Sequence, residues 1–153
     1  GMYYRRLDYS KMVKGRHPIA AYEFLGPKLE GKDVILIDDM ISSGKSILEI
    51  ASLLKKRGAG KIFICTTFGL FTEGMEKFDE AYQNGIFDKL LTTNLVYQTP
   101  ELLSKPYYIT CDMSKYIALI IDTLNHDMSV SHLLNPADRI KRCVSNYMAQ
   151  YEK

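Results

Sequence analysis

The run Val34-Ile35-Leu36-Ile37-Asp38-Asp39-Met40-Ile41-Ser42-Ser43-Gly44-Lys45-Ser46 decides the reading of this chain. Its opening residues, Val34 to Ile37, are all apolar and mostly β-branched. That pattern predicts a strand buried on both faces, as in a parallel sheet. The strand is expected to end in Asp38-Asp39, and a short Ser- and Gly-rich loop follows. Ser46 to Arg57 then carries Ile47, Ile50, Ala51 and Leu54 at helical spacing, with Leu48 and Leu53 widening the stripe. Gly58 and Gly60 stop this helix. Ile62-Phe63-Ile64-Cys65-Thr66 predicts a second buried strand. The unit is therefore strand–helix–strand, which implies a right-handed parallel crossover.

The same alternation continues downstream. Thr72 to Gln83 predicts a helix closed by Asn84-Gly85, and Lys89 to Thr93 a third strand. Pro100 to Leu103 allows one helical turn, and Tyr107 to Cys111 a fourth strand. Ser114 to Asn125 reads as a helix with Ser114 as N-cap and Ile117, Ile120, Ile121 and Leu124 facing inward. A last helix begins at Asn135-Pro136, a cap followed by proline in the first turn. Its stripe is Ile140, Cys143, Val144, Tyr147, Met148 and Tyr151. Upstream, residues 1–32 are polar and irregular, with a basic group (Arg5, Arg6, Lys11, Lys14, Arg16) and Gly26-Pro27, and suit an arm or a hairpin. Alternating strands and helices predict an α/β domain with a mostly parallel sheet. The expected division is an arm over 1–32, an α/β domain over 33–134 and an amphipathic helix over 135–153.

Composition bounds the function classes. The chain has 153 residues, 46% of them hydrophobic and 25% charged, which is the balance of a globular domain with a real core. No apolar run approaches the ~20 residues that span a bilayer, so no membrane role is expected. A net charge of +2 gives no argument for nucleic acid. Cys65, Cys111 and Cys143 show neither disulfide nor zinc spacing. The first two sit in apolar runs and read as buried thiols, which suits a cytoplasmic setting. His17, His126 and His132 show no ligand spacing and read as incidental.

The chemistry is expected beyond the carboxyl ends of the strands, where open α/β sheets bind ligands. Ser42-Ser43-Gly44-Lys45-Ser46 places hydroxyls and backbone N–H groups at a helix N-terminus, which favours a phosphate. Gly44 permits positive φ or close backbone approach. Asp38 and Asp39 would repel a phosphate; they suit sugar hydroxyls or a hydrated Mg²⁺. Gly44-Lys45-Ser46 is not a nucleotide P-loop, because that motif needs glycine where Asp39 stands. Taken alone, these residues read equally well as ordinary turn and cap residues.

Val34 to Ser46 resembles the ribose-phosphate loop of type I phosphoribosyltransferases, in which a hydrophobic strand precedes two acids, two spacers and a small-residue loop. The wider chain is similar to the ribose-phosphate pyrophosphokinases (phosphoribosyl pyrophosphate synthetases) of that fold. The similarity runs through Glu30-Gly31-Lys32, Arg57-Gly58-Ala59, Thr92-Thr93-Asn94 and Ser129-Val130-Ser131, and spans about Arg5 to Leu134. It implies a type I phosphoribosyltransferase-like fold truncated at its N-terminal side, with an extra C-terminal helix. It assigns Asp38 and Asp39 to ribose and Mg²⁺, and Ser42, Ser43, Gly44, Lys45 and Ser46 to the 5-phosphate of ribose 5-phosphate. It assigns Arg5 and Arg6 to the catalytic loop, and ATP as the diphosphoryl donor in a full-length, homo-oligomeric enzyme of nucleotide biosynthesis. Three departures matter. Ser42 often corresponds to an acid in the family's loop and Lys45 to a small residue, positions at which related phosphoribosyltransferases vary. The family's Lys-Arg-Arg run has one basic residue fewer here, in Tyr4-Arg5-Arg6-Leu7, and a lost cation of that kind costs several kcal/mol of transition-state stabilisation. The family's first domain and pyrophosphate loop have no counterpart, so this chain alone is expected to bind ribose 5-phosphate weakly and not to turn over. Two alternatives stand beside the kinase: a non-catalytic ribose-phosphate-binding or regulatory subunit, and a phosphoribosyltransferase that uses a base.

Overall fold

The computed structural model describes residues 1–7, 10, 12 and 19–151, and for strand residues 3–7 and 19–23 it describes the backbone alone. The chain forms two compact units, Gly1–Cys111 and Asp112–Lys153.

In the first unit, β1 (Met2–Leu7) pairs antiparallel with β2 (Ile19–Leu25). The rest alternates as the hydrophobic pattern demands: β3 (Val34–Ile41), α1 (Lys45–Lys56), β4 (Ile62–Gly69), α2 (Glu76–Gln83), β5 (Lys89–Thr93), α3 (Pro100–Leu103) and β6 (Tyr108–Cys111). These strands build one four-stranded sheet in the order β3-β4-β5-β6, parallel throughout. Ile62, Ile64 and Leu90 point to one face and are fully buried, beneath Ile47, Ala51 and Leu54 of α1 and Phe78 and Ala81 of α2. Burying each large side chain of this kind contributes about 1.5–3 kcal/mol.

Several elements differ from the sequence reading. β3 is not buried on both faces: Ile35 is 65% and Ile37 83% exposed. As the edge strand it shares one face with the helices, and Val34 and Leu36 use that face. The strand also does not end at the two acids. It runs to Ile41, because β4 continues to Gly69 and pairs Met40 with Phe68 and Ile41 with Gly69. α2 begins at Glu76, not Thr72, since Phe71 (φ 47) and Gly74 (φ 79) turn the chain left-handed just before it. Cys65 and Cys111 are half-buried rather than buried. Burial, and secondly Cys111, pushes the Cys65 thiol up, which keeps it protonated.

A polar cluster fastens α2 to α3 and β6. Lys105 pairs with Asp79 at 2.6 Å and Glu101 at 3.3 Å, and the buried Tyr107 hydroxyl donates to Asp79 at 2.7 Å. Burial alone would raise the Asp79 carboxyl. Hydrogen bonds from Lys105 and Tyr107, with the Lys105 charge, outweigh it and hold Asp79 below its ordinary value. Tyr107 is pushed well up by burial and by its bond to Asp79. Beside this cluster, Tyr108 Oη lies 2.6 Å from both Thr92 Oγ1 and Gln98 Nε2, so the neighbouring buried hydroxyls are satisfied. Thr66 Oγ1, by contrast, finds no partner among the described residues.

The second unit holds α4 (Ser114–Asn125), α5 (Ser131–Leu134) and α6 (Ala137–Tyr151). Met113, not Ser114, is the N-cap of α4, and Asp112 Oδ1 accepts the Ser114 N–H at 2.9 Å. The sheltered face of α4 carries Tyr116, Ile117, Ile120 and Thr123, whereas Ile121 and Leu124 are exposed. Arg139 donates to the Leu133 carbonyl and lies over the Tyr116 ring, and the Tyr116 hydroxyl donates to the same carbonyl at 2.8 Å. Asn135 Oδ1 accepts the Ala137 N–H at 3.0 Å, as the Asn-Pro start of α6 predicts. No residue of α6 is buried. Among the described residues no helix is long and apolar enough to cross a membrane.

Three stability outcomes follow from these polar groups. Tyr107→Phe removes a hydrogen bond to a carboxylate and is expected to cost about 1.5–3 kcal/mol, read by urea denaturation. Because the folded Asp79 carboxyl is depressed, its contribution is complete above the unfolded value of about 3.9 and is lost as pH falls through the folded value. Asp79→Asn should therefore flatten that part of the acid denaturation curve. Thr66→Val removes a buried hydroxyl that has no partner and should leave stability unchanged or raise it by about 1 kcal/mol in the same measurement.

Candidate functional site

β3 delivers Asp38 and Asp39 to the carboxyl end of the sheet, and both side chains are exposed. The Asp38 carboxylate accepts the Asp39 N–H at 2.9 Å, which turns the first acid back on its own backbone. The next residue but one, Ile41, is buried and anchors the end of the strand. Ser42, Ser43 and Gly44 then make the turn into α1.

Gly44 is the N-cap of α1 at φ 80, in the left-handed region. Any other residue would be strained there, and a Cβ would collide with the ring of Phe78. No side chain caps the helix, and its first turn holds no acidic residue. Ser43 Oγ comes only to 3.5 Å from the Lys45 N–H. The first turn of α1 therefore lines the cleft with little side-chain capping of its N–H groups, beside Lys45. That is the electrostatics of an anion site.

Residues Asp38 to Ile47 line one cleft of about 240 Å³. The structure thus gathers all seven residues expected to hold sugar, metal and phosphate: Asp38, Asp39, Ser42, Ser43, Gly44, Lys45 and Ser46. A larger cleft of about 530 Å³ runs along β3 between Met2, Phe24 and α1. Its lining residues are apolar apart from Asp38 and Ser46, so the hydroxyls and the helix start that favour an anion lie mainly in the smaller cleft. Among the described residues no three or more His, Cys, Asp or Glu side chains cluster as a metal cage. Two adjacent exposed carboxylates beside an uncapped helix start still fit Mg²⁺, which keeps several waters and takes one or two carboxylates together with phosphate oxygens.

Arg5 and Arg6 lie in β1, opposite Tyr22 and Ala21, and their side chains are outside the described residues. Lys11, Lys14, Arg16 and His17 lie outside them altogether. His126 Nδ1 is 2.8 Å from the Asp122 carbonyl and His132 Nδ1 is 3.1 Å from the Ser129 carbonyl, both on the second unit's own backbone. Sequence reasoning missed the support under the loop. Leu70 donates to the Ile41 carbonyl at 2.8 Å, Thr72 to the Ser42 carbonyl at 3.0 Å, and Phe78 lies beneath Gly44. Thr72 and Phe78 carry no local signal that sets them apart from ordinary loop and core residues.

The profile of the phosphoribosyl synthetase-associated domain matches residues 10–135. A ribose-phosphate pyrophosphokinase of Vibrio parahaemolyticus is 26% identical over 107 residues, 70% of this chain and 33% of that protein. One of Thermococcus kodakarensis is 36% identical over 93 residues, 59% of this chain and 31% of that protein. Among solved structures, the phosphoribosylpyrophosphate synthetase of Mycobacterium smegmatis superposes with a TM-score of 0.61 at 22% identity, covering 72% of this chain and 35% of that one. This likeness carries the fold, a parallel sheet with helices of the type I phosphoribosyltransferase kind. The chain spans about a third of the length of the curated relatives it matches.

Gly44→Ala puts a Cβ at a left-handed position against a buried ring. It should destabilise the chain by at least about 1–2 kcal/mol and displace the amide resonances of Ser43 to Ile47, as NMR and urea denaturation would read.

Proposed function

Because the chain belongs to the family of the phosphoribosyl synthetase-associated domain, we propose that it is the ribose 5-phosphate-binding part of a ribose-phosphate pyrophosphokinase. One observation carries this reading. The exposed acid pair of β3 and the uncapped start of α1 line the same cleft, with opposite electrostatic preferences a few residues apart. A sugar phosphate has that polarity, with hydroxyls at one end and a dianion at the other.

In this reading the N–H groups and hydroxyls of Ser42, Ser43, Gly44 and Ser46, with the Lys45 ammonium, hold the 5-phosphate. Asp38 and Asp39 accept from the ribose hydroxyls, and they are the residues that would hold a hydrated Mg²⁺. That ion, when bound, neutralises charge between the sugar and the polyphosphate donor. The chain's own contribution is to fix the ribose so that its O1 faces the donor, since such transfers depend mainly on positioning and charge neutralisation. In the whole enzyme, O1 attacks the β-phosphorus of ATP and AMP leaves. Arg5 and Arg6 of β1 would stabilise the charge that develops. ATP, a homo-oligomeric assembly and a cytoplasmic setting belong to this proposal for the full-length protein.

A second reading has its own support. Tyr4-Arg5-Arg6-Leu7 holds one basic residue fewer than the resembling catalytic run, and that favours a binding or regulatory subunit without turnover. Both readings require the same sugar-phosphate site.

Calorimetric titration with ribose 5-phosphate and Mg²⁺ is expected to show saturable binding that Asp38→Ala/Asp39→Ala abolishes. Binding should weaken as salt screens the phosphate contacts. The absence of any binding heat at millimolar ligand would defeat both readings. Binding without diphosphoryl transfer in the full-length protein would select the second.

A further inference from the structure

The cleft residues make few side-chain contacts of their own, yet the loop has a defined shape. What defines it is the connection from β4 to α2. After β4 ends at Gly69, the chain does not turn away but runs on beside the loop. Leu70 donates to the Ile41 carbonyl at 2.8 Å and Thr72 to the Ser42 carbonyl at 3.0 Å, and Thr72 Oγ1 lies 3.3 Å from Ser42 Oγ. Phe71 takes φ 47, an uncommon conformation for a large side chain. Its ring meets Phe78 edge-on, with centroids 5.3 Å apart. Phe78 in turn is fully buried against Gly44, leaving no room there for a Cβ. The loop is gripped from the side by Thr72 and from below by Phe78.

We propose that Thr72 is a positioning residue: with Phe78 as a floor, it holds Ser42 to Gly44 in the phosphate-ready shape before any ligand arrives. The inference rests on the reading of this loop as a phosphate site. Physically it is preorganisation: the ordering of the loop is supplied by folding, so binding need not supply it. Thr72 itself reaches no ligand in this scheme. It acts through Ser42, by one backbone and one side-chain hydrogen bond. Neither Thr72 nor Phe78 is part of the acid-and-serine pattern that marks the site, so each is a distinct target for substitution.

The test uses the intact chain with Thr72→Val, which keeps the β-branch and the backbone N–H but removes the hydroxyl, and with Thr72→Ser, which keeps the hydroxyl. Amide hydrogen exchange at Ser43 to Ser46 is measured without ligand, and ribose 5-phosphate affinity by titration. Thr72→Val is expected to speed loop exchange and weaken binding, each by about fivefold, the loss of one ordinary hydrogen bond. Exchange in the core of β4 and β5 should not change, and Thr72→Ser should restore both readings. Loop exchange equal to that of the unmodified chain would overturn the proposal. So would equal acceleration in the core, which would mark a general loss of stability, or a failure of Thr72→Ser to restore the loop. If the unmodified chain binds no ribose 5-phosphate while Thr72→Val still loosens the loop alone, the clamp stands and the proposed function falls.

Discussion

The pairing of β3 with β4 is the constraint on which the rest of the first unit depends. Val34 meets Ile62 at one end and Ile41 meets Gly69 at the other, and the ladder holds along nearly its whole length. Because the strands are parallel, α1 must cross back over the sheet between them, and its N-terminus necessarily lies at the carboxyl end of β3. The acids, the turn and the helix start are brought together by that one topological fact. Extending the ladder past the acids to the buried Ile41 removes the slack that a loop starting at Asp38 would have.

Packing does the rest. A single buried ring, Phe78, meets Gly44 above it and Phe71 and Phe87 at its edges, with Phe87 edge-on to Tyr107. Tyr107 binds Asp79, which lies next to Phe78 in α2. The floor of the loop is thus continuous with the best-satisfied polar cluster of the unit. Aromatic rings packed edge-to-face are stiff and resist small displacements, so a site built on them keeps its geometry. The loop itself contributes little: its side chains are short, polar and mostly exposed.

The edge of the sheet tells a different story. Ile35 and Ile37 are apolar yet open to solvent, and the larger cleft runs along them. An all-parallel sheet is ordinarily covered on both faces. The strand's composition therefore suits a more enclosed position than the first unit gives it. The exposed stripe of α6, from Ile140 to Tyr151, is similarly more apolar than its surroundings require.

Much of this was legible in the residues. Period and composition located β3 to β6 and α1 closely, because buried parallel strands and amphipathic helices write their burial directly into local pattern. The grouping of the seven candidate residues in one cleft was legible for the same reason, since acids, small hydroxyl residues and a glycine between a strand and a helix are neighbours in the chain. Their assignment to a sugar phosphate, by contrast, came from the resemblance. The length of β3, its edge position, the late start of α2 and the exposed side of α4 were decided only by the tertiary structure. Each depends on which partner lies alongside: β4 extending beyond the acids, the strand order, the left-handed turn at Phe71, the neighbours of Tyr116. The support of the loop by Thr72 and Phe78 belongs to the same class. Those residues are some thirty positions from the loop they hold, as the Ser42–Thr72 pairing shows. Nothing in their own neighbourhood distinguishes them from ordinary loop and core, because a contact between distant segments exists only once the chain has folded.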